Sequence, residues 1–150
     1  RPDGTTHEAP AADRDRTHLF TAFDRSAADL LAEWKSFGVR DDVTHVARVR
    51  GRPVTVIGAA PGDRSSPAVW LDEEYGVVRV VTHERLPQGR TLVDFSLSEH
   101  RPLQGGFYYP YRQELFSNGK ILLRISVQSV SLNSNLPDTL FDPQTLRQGR

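Results

Sequence analysis

Between Val43 and Asn133 the chain breaks into short segments that are Val-rich or alternate apolar with polar residues, each bounded by glycine, proline or a polar turn. That period of two is the mark of half-buried β-strands, and it constrains the fold more than any other feature. VTHVARV (43–49) leads through Arg50-Gly51-Arg52 into PVTVIGA (53–59), the spacing of a hairpin. The loop APGDRSSP (60–67) precedes AVWLD (68–72), and the acidic turn around Glu73 and Glu74 leads into GVVRVVTH (76–83). In TLVDFSLSEH (91–100), Val93, Phe95 and Leu97 share one side while Asp94, Ser96 and Ser98 share the other. Two further strands flank Ser117-Asn118-Gly119, Asn-Gly being among the strongest short hairpin signals.

About seven strands with short links and no helices between them exclude parallel βαβ crossovers, each of which needs about a dozen linking residues. The sequence therefore predicts an α+β fold, an antiparallel sheet large enough to curl, with one amphipathic helix on its apolar face. DRSAADLLAEWKSFG supplies that helix. Ser26 and Asp29 have the spacing of a capping box, Ala27, Leu30, Leu31, Trp34 and Phe37 recur at helical intervals, and Gly38 is a left-handed stop. One helix is narrow cover for such a sheet. Either residues outside this chain cover the remainder, or the concave face stays partly open. In the last strand Ile121, Leu123, Ile125 and Val127 share a face, whereas Val130 and Leu132 fall out of step. A β-bulge at Gln128-Ser129 would keep both sets inward.

Composition removes several classes of function. At 150 residues one domain is the natural expectation, since halves would be marginal. Lys+Arg and Asp+Glu both number 19, so no net field draws the chain to nucleic acid or an anionic membrane. No stretch approaches the roughly 18 consecutive apolar residues of a transmembrane helix. Cysteine is absent, which removes disulfides, thiolate metal sites and cysteine nucleophiles. Methionine is absent too, so the chain reads as lacking an upstream piece: a signal peptide, a tag or an N-terminal segment. Residues 1–18 are polar and carry no apolar period, as in a flexible arm or linker, which leaves residues 19–150 as the domain.

The order of helix, "VTVIGAAPGD", "PAVWLDEEYGVVRVV", "FYYPYRQELFSNGKILLRISVQSVSLN" and "LPDTLFDPQTL" resembles the LolA/LolB-like superfamily of bacterial envelope proteins, which includes lipoprotein carriers. The resemblance covers roughly residues 26–146 and rests on the Tyr109-Pro110 strand entry, the Asn118-Gly119 turn and the Asn133, Pro137, Asp138 and Phe141 arrangement. It implies an incomplete half-barrel whose apolar concave face shelters acyl chains. It also implies a turn at 133–138, a short C-terminal helical turn and Leu140-Phe141 folding back as a plug at the barrel edge. Family members carry a helix and several strands ahead of the helix seen here, and their basic cargo-handling residue lies in that early region. No functional residue transfers to this chain.

Chemical alternatives find little support. VIGAAPGD lacks both GxGxxG and GxxxxGKS/T. The histidines at 7, 18, 45, 83 and 100 have no zinc-site spacing. Ser65-Ser66 lies in a polar loop without G-x-S-x-G, and Asp72, Glu73 and Glu74 read as a solvated turn tip. No catalytic residue, metal or cofactor is expected. The expectation is a non-enzymatic periplasmic or outer-membrane-associated protein that binds acyl lipid or a lipoprotein's acyl chains. Candidate lining residues are Leu30, Trp34 and Phe37 from the helix and Val93, Phe95, Leu97, Ile121, Leu123 and Ile125 from the sheet. Ordinary core packing is the first expectation for all nine, and lipid contact is the sharper one. The alternative is a scaffold domain with a filled interior that meets an envelope protein at its surface or sheet edge.

Overall fold

The computed structural model describes residues 26–86 and 89–131. The arm expected over residues 1–18, the turn at 133–138 and the Leu140-Phe141 plug lie outside these residues.

The single helix of this region, α1 (Ala27–Ser36), starts as its sequence requires. The Ser26 hydroxyl oxygen accepts from the Asp29 amide at 3.1 Å and donates to the Asp29 carboxylate at 2.7 Å. The box thus satisfies one orphan amide, and the carboxylate closes back on the hydroxyl instead of on a second amide. Gly38, at φ +87°, ends the helix, and the Val39 amide returns to the Trp34 carbonyl at 3.0 Å.

Seven strands follow: β1 (Thr44–Val49), β2 (Arg52–Ile57), β3 (Ala68–Asp72), β4 (Gly76–Leu86), β5 (Gly89–Pro102), β6 (Tyr108–Ser117) and β7 (Lys120–Ser126). They pair antiparallel in sequence order, so the sheet is an open meander with β1 and β7 as its edges. It is neither closed nor strongly curled. Both turns marked by X-Gly pairs form hairpins, with positive φ at Arg50 and Gly51 and at Asn118 and Gly119, the geometry that matches strand twist. Pro110 pairs with His100 beyond the reach of β7, which begins to pair with β6 only at Arg112, so its missing amide interrupts no central ladder.

The bulges differ from expectation. β7 ends at Ser126, and Gln128-Ser129 lie outside any strand. The slip falls earlier, where Leu115 pairs with Leu123 but Phe116 pairs with Ile121, leaving Leu122 as the extra residue. A second slip lies between β3 and β4 at Trp70/Leu71, leaving Val78 as the extra residue.

Alternation sorts the core onto two faces. Trp34, Val39, Val69 and Val80 pack together with Leu30, Leu31, Ile57, Leu71 and Val77, so α1 lies on the face that carries Val69 and Val80. Neighbouring residues of the same strands, Val56, Ala68, Trp70 and Val81, belong to a second buried cluster on the opposite face. That double burial explains why β3 reads as a continuous apolar run instead of an alternating one.

Candidate functional site

The cross-strand pairs draw an apolar row across the helix face: Val69 beside Val80, Val80 beside Phe95, Phe95 beside Leu115, Leu115 beside Leu123. Val69 is fully buried, Val80 and Phe95 nearly so, Leu115 half-buried and Leu123 half exposed. The row therefore runs from beneath the helix into the open. The next row, Leu97–Gln113–Ile125, keeps two apolar members. On the reverse face, beside the second buried cluster, ion pairs cross the strands: Arg79 chelates Asp94 at 2.7 and 2.9 Å, and Arg124 donates to Glu114 at 2.7 Å.

The nine candidate lining residues separate into groups on this frame. Leu30 and Trp34 pack on Val69 and Val80, and Phe37 is half-buried at the helix end. Val93 is half-buried, while Phe95 and Leu97 are buried. Leu123 and Ile125 stand exposed on the helix face at the sheet edge. Ile121 is exposed as well, but the bulge at Leu122 puts it with Phe116 on the reverse face, away from Leu123. Among the described residues these side chains do not converge on one enclosed cavity.

A half-open pocket lies elsewhere, on the face opposite α1, where the β1–β2 and β3–β4 turns meet the end of β5. It has a volume of about 250 Å³ and a lining that includes Arg50, Arg52, Asp72, Tyr75, Ser98 and His100. Its frame is ionic. Arg52 grips Asp72 through two hydrogen bonds of 2.7 and 3.0 Å and reaches Glu74 at 2.8 Å. Asp72, only 4 % exposed, also accepts from the Glu74 and Tyr75 amides and so shapes the turn. This corrects the solvated-tip expectation: the first acid of the cluster is a structural anchor. The Arg52 hydrogen bonds, more than the turn amides, hold the Asp72 carboxyl well below the usual carboxylate range against the opposing effect of burial.

Aromatic rings complete the frame. Tyr75 stacks on His100 with centroids 4.5 Å apart and carries the Arg52 guanidinium 4.2 Å over its ring. Burial pushes the His100 imidazole below its ordinary value, Asp72 opposes that shift, and Arg50 and Arg52 add to it. The Tyr108 phenol hydrogen-bonds to Glu74, which raises its pKa. Within the frame, Ser98 Oγ and His100 Nε2 are buried without a hydrogen-bond partner.

Sequence reasoning missed this arrangement because its members lie far apart in the chain and share no spacing. The available signal was the charge at strand ends, Arg52 opening β2 and Asp72 closing β3. Ser65 and Ser66 both donate their hydroxyls to Asp63, which ties them into the 60–67 loop. Among the described residues no group of three metal-ligating side chains gathers, and no helix is long and apolar enough to cross a membrane. Comparison of the chain with protein-family models, with curated proteins and with solved structures finds no match.

Proposed function

We propose that the chain is a non-enzymatic envelope domain of LolA/LolB-like type that binds acyl lipid, or the acyl chains of a lipoprotein, on the helix face of its sheet. The observation that carries this reading is the apolar row that leaves the shelter of α1 at Phe95 and continues through Leu115 to exposed Leu123, with Ile125 beside it. An acyl chain laid along that row would remove apolar surface on both sides from water, about 0.8 kcal/mol for each methylene buried. On this reading the open meander is the wall of an incomplete half-barrel. The site of action is then the periplasm or the outer membrane.

Native mass spectrometry after incubation with palmitic acid or a diacylated lipopeptide tests the proposal. A one-to-one complex is expected, lost in Leu123→Asp and Ile125→Asp. Both side chains are already solvent-exposed, so their replacement leaves the fold intact. A mass that stays apo with both ligands rejects the reading.

A second reading is favoured by β7 itself. Among the described residues its outer edge is unpaired, and Ile121, Leu122, Leu123 and Ile125 are all exposed, the features of a strand that accepts another strand. A scaffold domain docking an envelope protein there would give the apo result above together with loss of partner binding in the same two variants.

A further inference from the structure

The helix face of the outer strands carries an inference that rests on the acyl-chain reading and names the lipid. Because β5 and β6 pair without a slip, alternation puts Tyr111 and Tyr109 on the same face as Leu115 and Gln113, and register sets Arg101 beside Tyr109. Along β6 that face therefore passes from the apolar row at Leu115, through Gln113 with Leu97 and Ile125 at its sides, to Tyr111 and Tyr109. Tyr111 stands four residues from Leu115, about 13 Å at roughly 3.3 Å per residue.

That end of the face holds a positioned cation. The Arg101 guanidinium lies 4.3 Å over the Tyr111 ring, and the Tyr109 and Tyr111 rings meet edge to face with centroids 6.3 Å apart. Gln113 Nε2 donates to the Tyr109 phenol oxygen at 3.4 Å, which leaves the phenol hydrogen for another acceptor. Arg101 is exposed and forms no ion pair among the described residues. The carboxylates of the neighbouring elements are engaged elsewhere: Glu99 by Arg112 at 3.0 Å, Glu114 by Arg124 at 2.7 Å, and Asp72 and Glu74 by Arg52 at 2.7 and 2.8 Å. Glu73, the remaining acid of the β3–β4 turn, is exposed and makes no ion pair with Arg101. The other cation on this face of β5, β6 and β7 is Lys120, which pairs with Ser117 at the opposite end, beside the hairpin turn.

We infer that the helix face binds a long-chain fatty acid, its carboxylate received by the Arg101 guanidinium and the Tyr109 hydroxyl and its chain lying over Ile125 and Leu115 toward Leu123. A guanidinium takes a carboxylate through two parallel hydrogen bonds, and the Tyr111 ring beneath it holds that fork over the sheet. One uncompensated cation matches one carboxylate, and a single apolar row matches one chain. The ester- and amide-linked chains of a lipoprotein carry no charge, so they would bury on the same row without using Arg101.

The test is a titration of the isotopically labelled chain with decanoate and with 1-decanol, which has the same chain without the charge, followed by two-dimensional NMR. The ratio of the two affinities is the readout. Saturable shifts at Leu115, Leu123 and Ile125 are expected with both ligands, and at Arg101 and Tyr109 with the acid alone. Arg101→Gln should lower the acid-to-alcohol ratio by about fivefold or more, with the alcohol bound as in the parent chain. Tyr109→Phe, which keeps the ring and removes the hydroxyl, should lower it by about twofold or more. Lys120→Gln should leave it unchanged. A ratio unaltered by Arg101→Gln, or lowered as far by Lys120→Gln, overturns this inference and leaves the acyl-chain reading standing. Absence of saturable binding by both ligands overturns the two together.

Discussion

Gly58 shows how a single residue sets the local path of the chain. It sits where β2 gives way to the 60–67 loop, at φ +107°, and its amide donates to the Val43 carbonyl at 2.8 Å. A Cβ there would press into the Pro67 carbonyl oxygen and come within 2.9 Å of Val39 Cγ1 and 3.0 Å of Ala68 Cα. The glycine that in sequence suggested a nucleotide turn is therefore required by close packing of backbone on backbone. Gly58→Ala combines a strained φ with overpacking and should destabilise the fold by about 2–5 kcal/mol. Urea unfolding of the variant measures this, and a loss below about 1 kcal/mol would show that the loop can yield. Residue-scale roles of this kind were legible only in part. The Ser26–Asp29 cap and the Gly38 stop could be read because both act within one turn of helix. The Arg52–Asp72 clamp could not, since it joins the start of β2 to the end of β3.

At the scale of elements, α1 depends on what it covers. A ten-residue helix is too short to persist in water by propensity, so its stability comes from Trp34 and its neighbours against Val69 and Val80. Trp34→Ala should cost about 3–5 kcal/mol and remove most of the helical circular dichroism before the sheet unfolds. Coincident loss of helix and sheet signals with a cost under about 1 kcal/mol would contradict that dependence. The seven strands and both X-Gly hairpins were legible because strand period and turn chemistry are local. The bulges were not. Ile121-Leu122-Leu123 is apolar at every position, so hydrophobic pattern alone cannot say which residue is extra, and only pairing with Leu115 and Phe116 selects Leu122.

For the molecule as a whole, acid response follows from groups held away from their ordinary values. His100 lies below the usual imidazole value, so the unfolded chain takes its proton first; stability is full above about pH 6.5 and declines as pH falls through the folded value. Asp72 is likewise depressed, so its contribution is complete above about pH 4 and is lost only at lower pH. Two limbs are expected in a plot of thermal midpoint against pH. His100→Gln should flatten the one that begins below about pH 6.5 and keep the one below about pH 4. Survival of the upper limb in that variant would assign it to another group.

The sequence by itself determined the strand and turn inventory, the single amphipathic helix and the antiparallel class, because each is written in contacts between residues a few positions apart. Tertiary structure alone decided which strands border each other at the edges, how far α1 covers the sheet and where its apolar row emerges. It also decided that Arg50, Tyr75, Ser98 and His100 meet around one pocket. Those outcomes depend on register and on bulges, and a slip of one residue exchanges the two faces of a strand, so no local pattern encodes them.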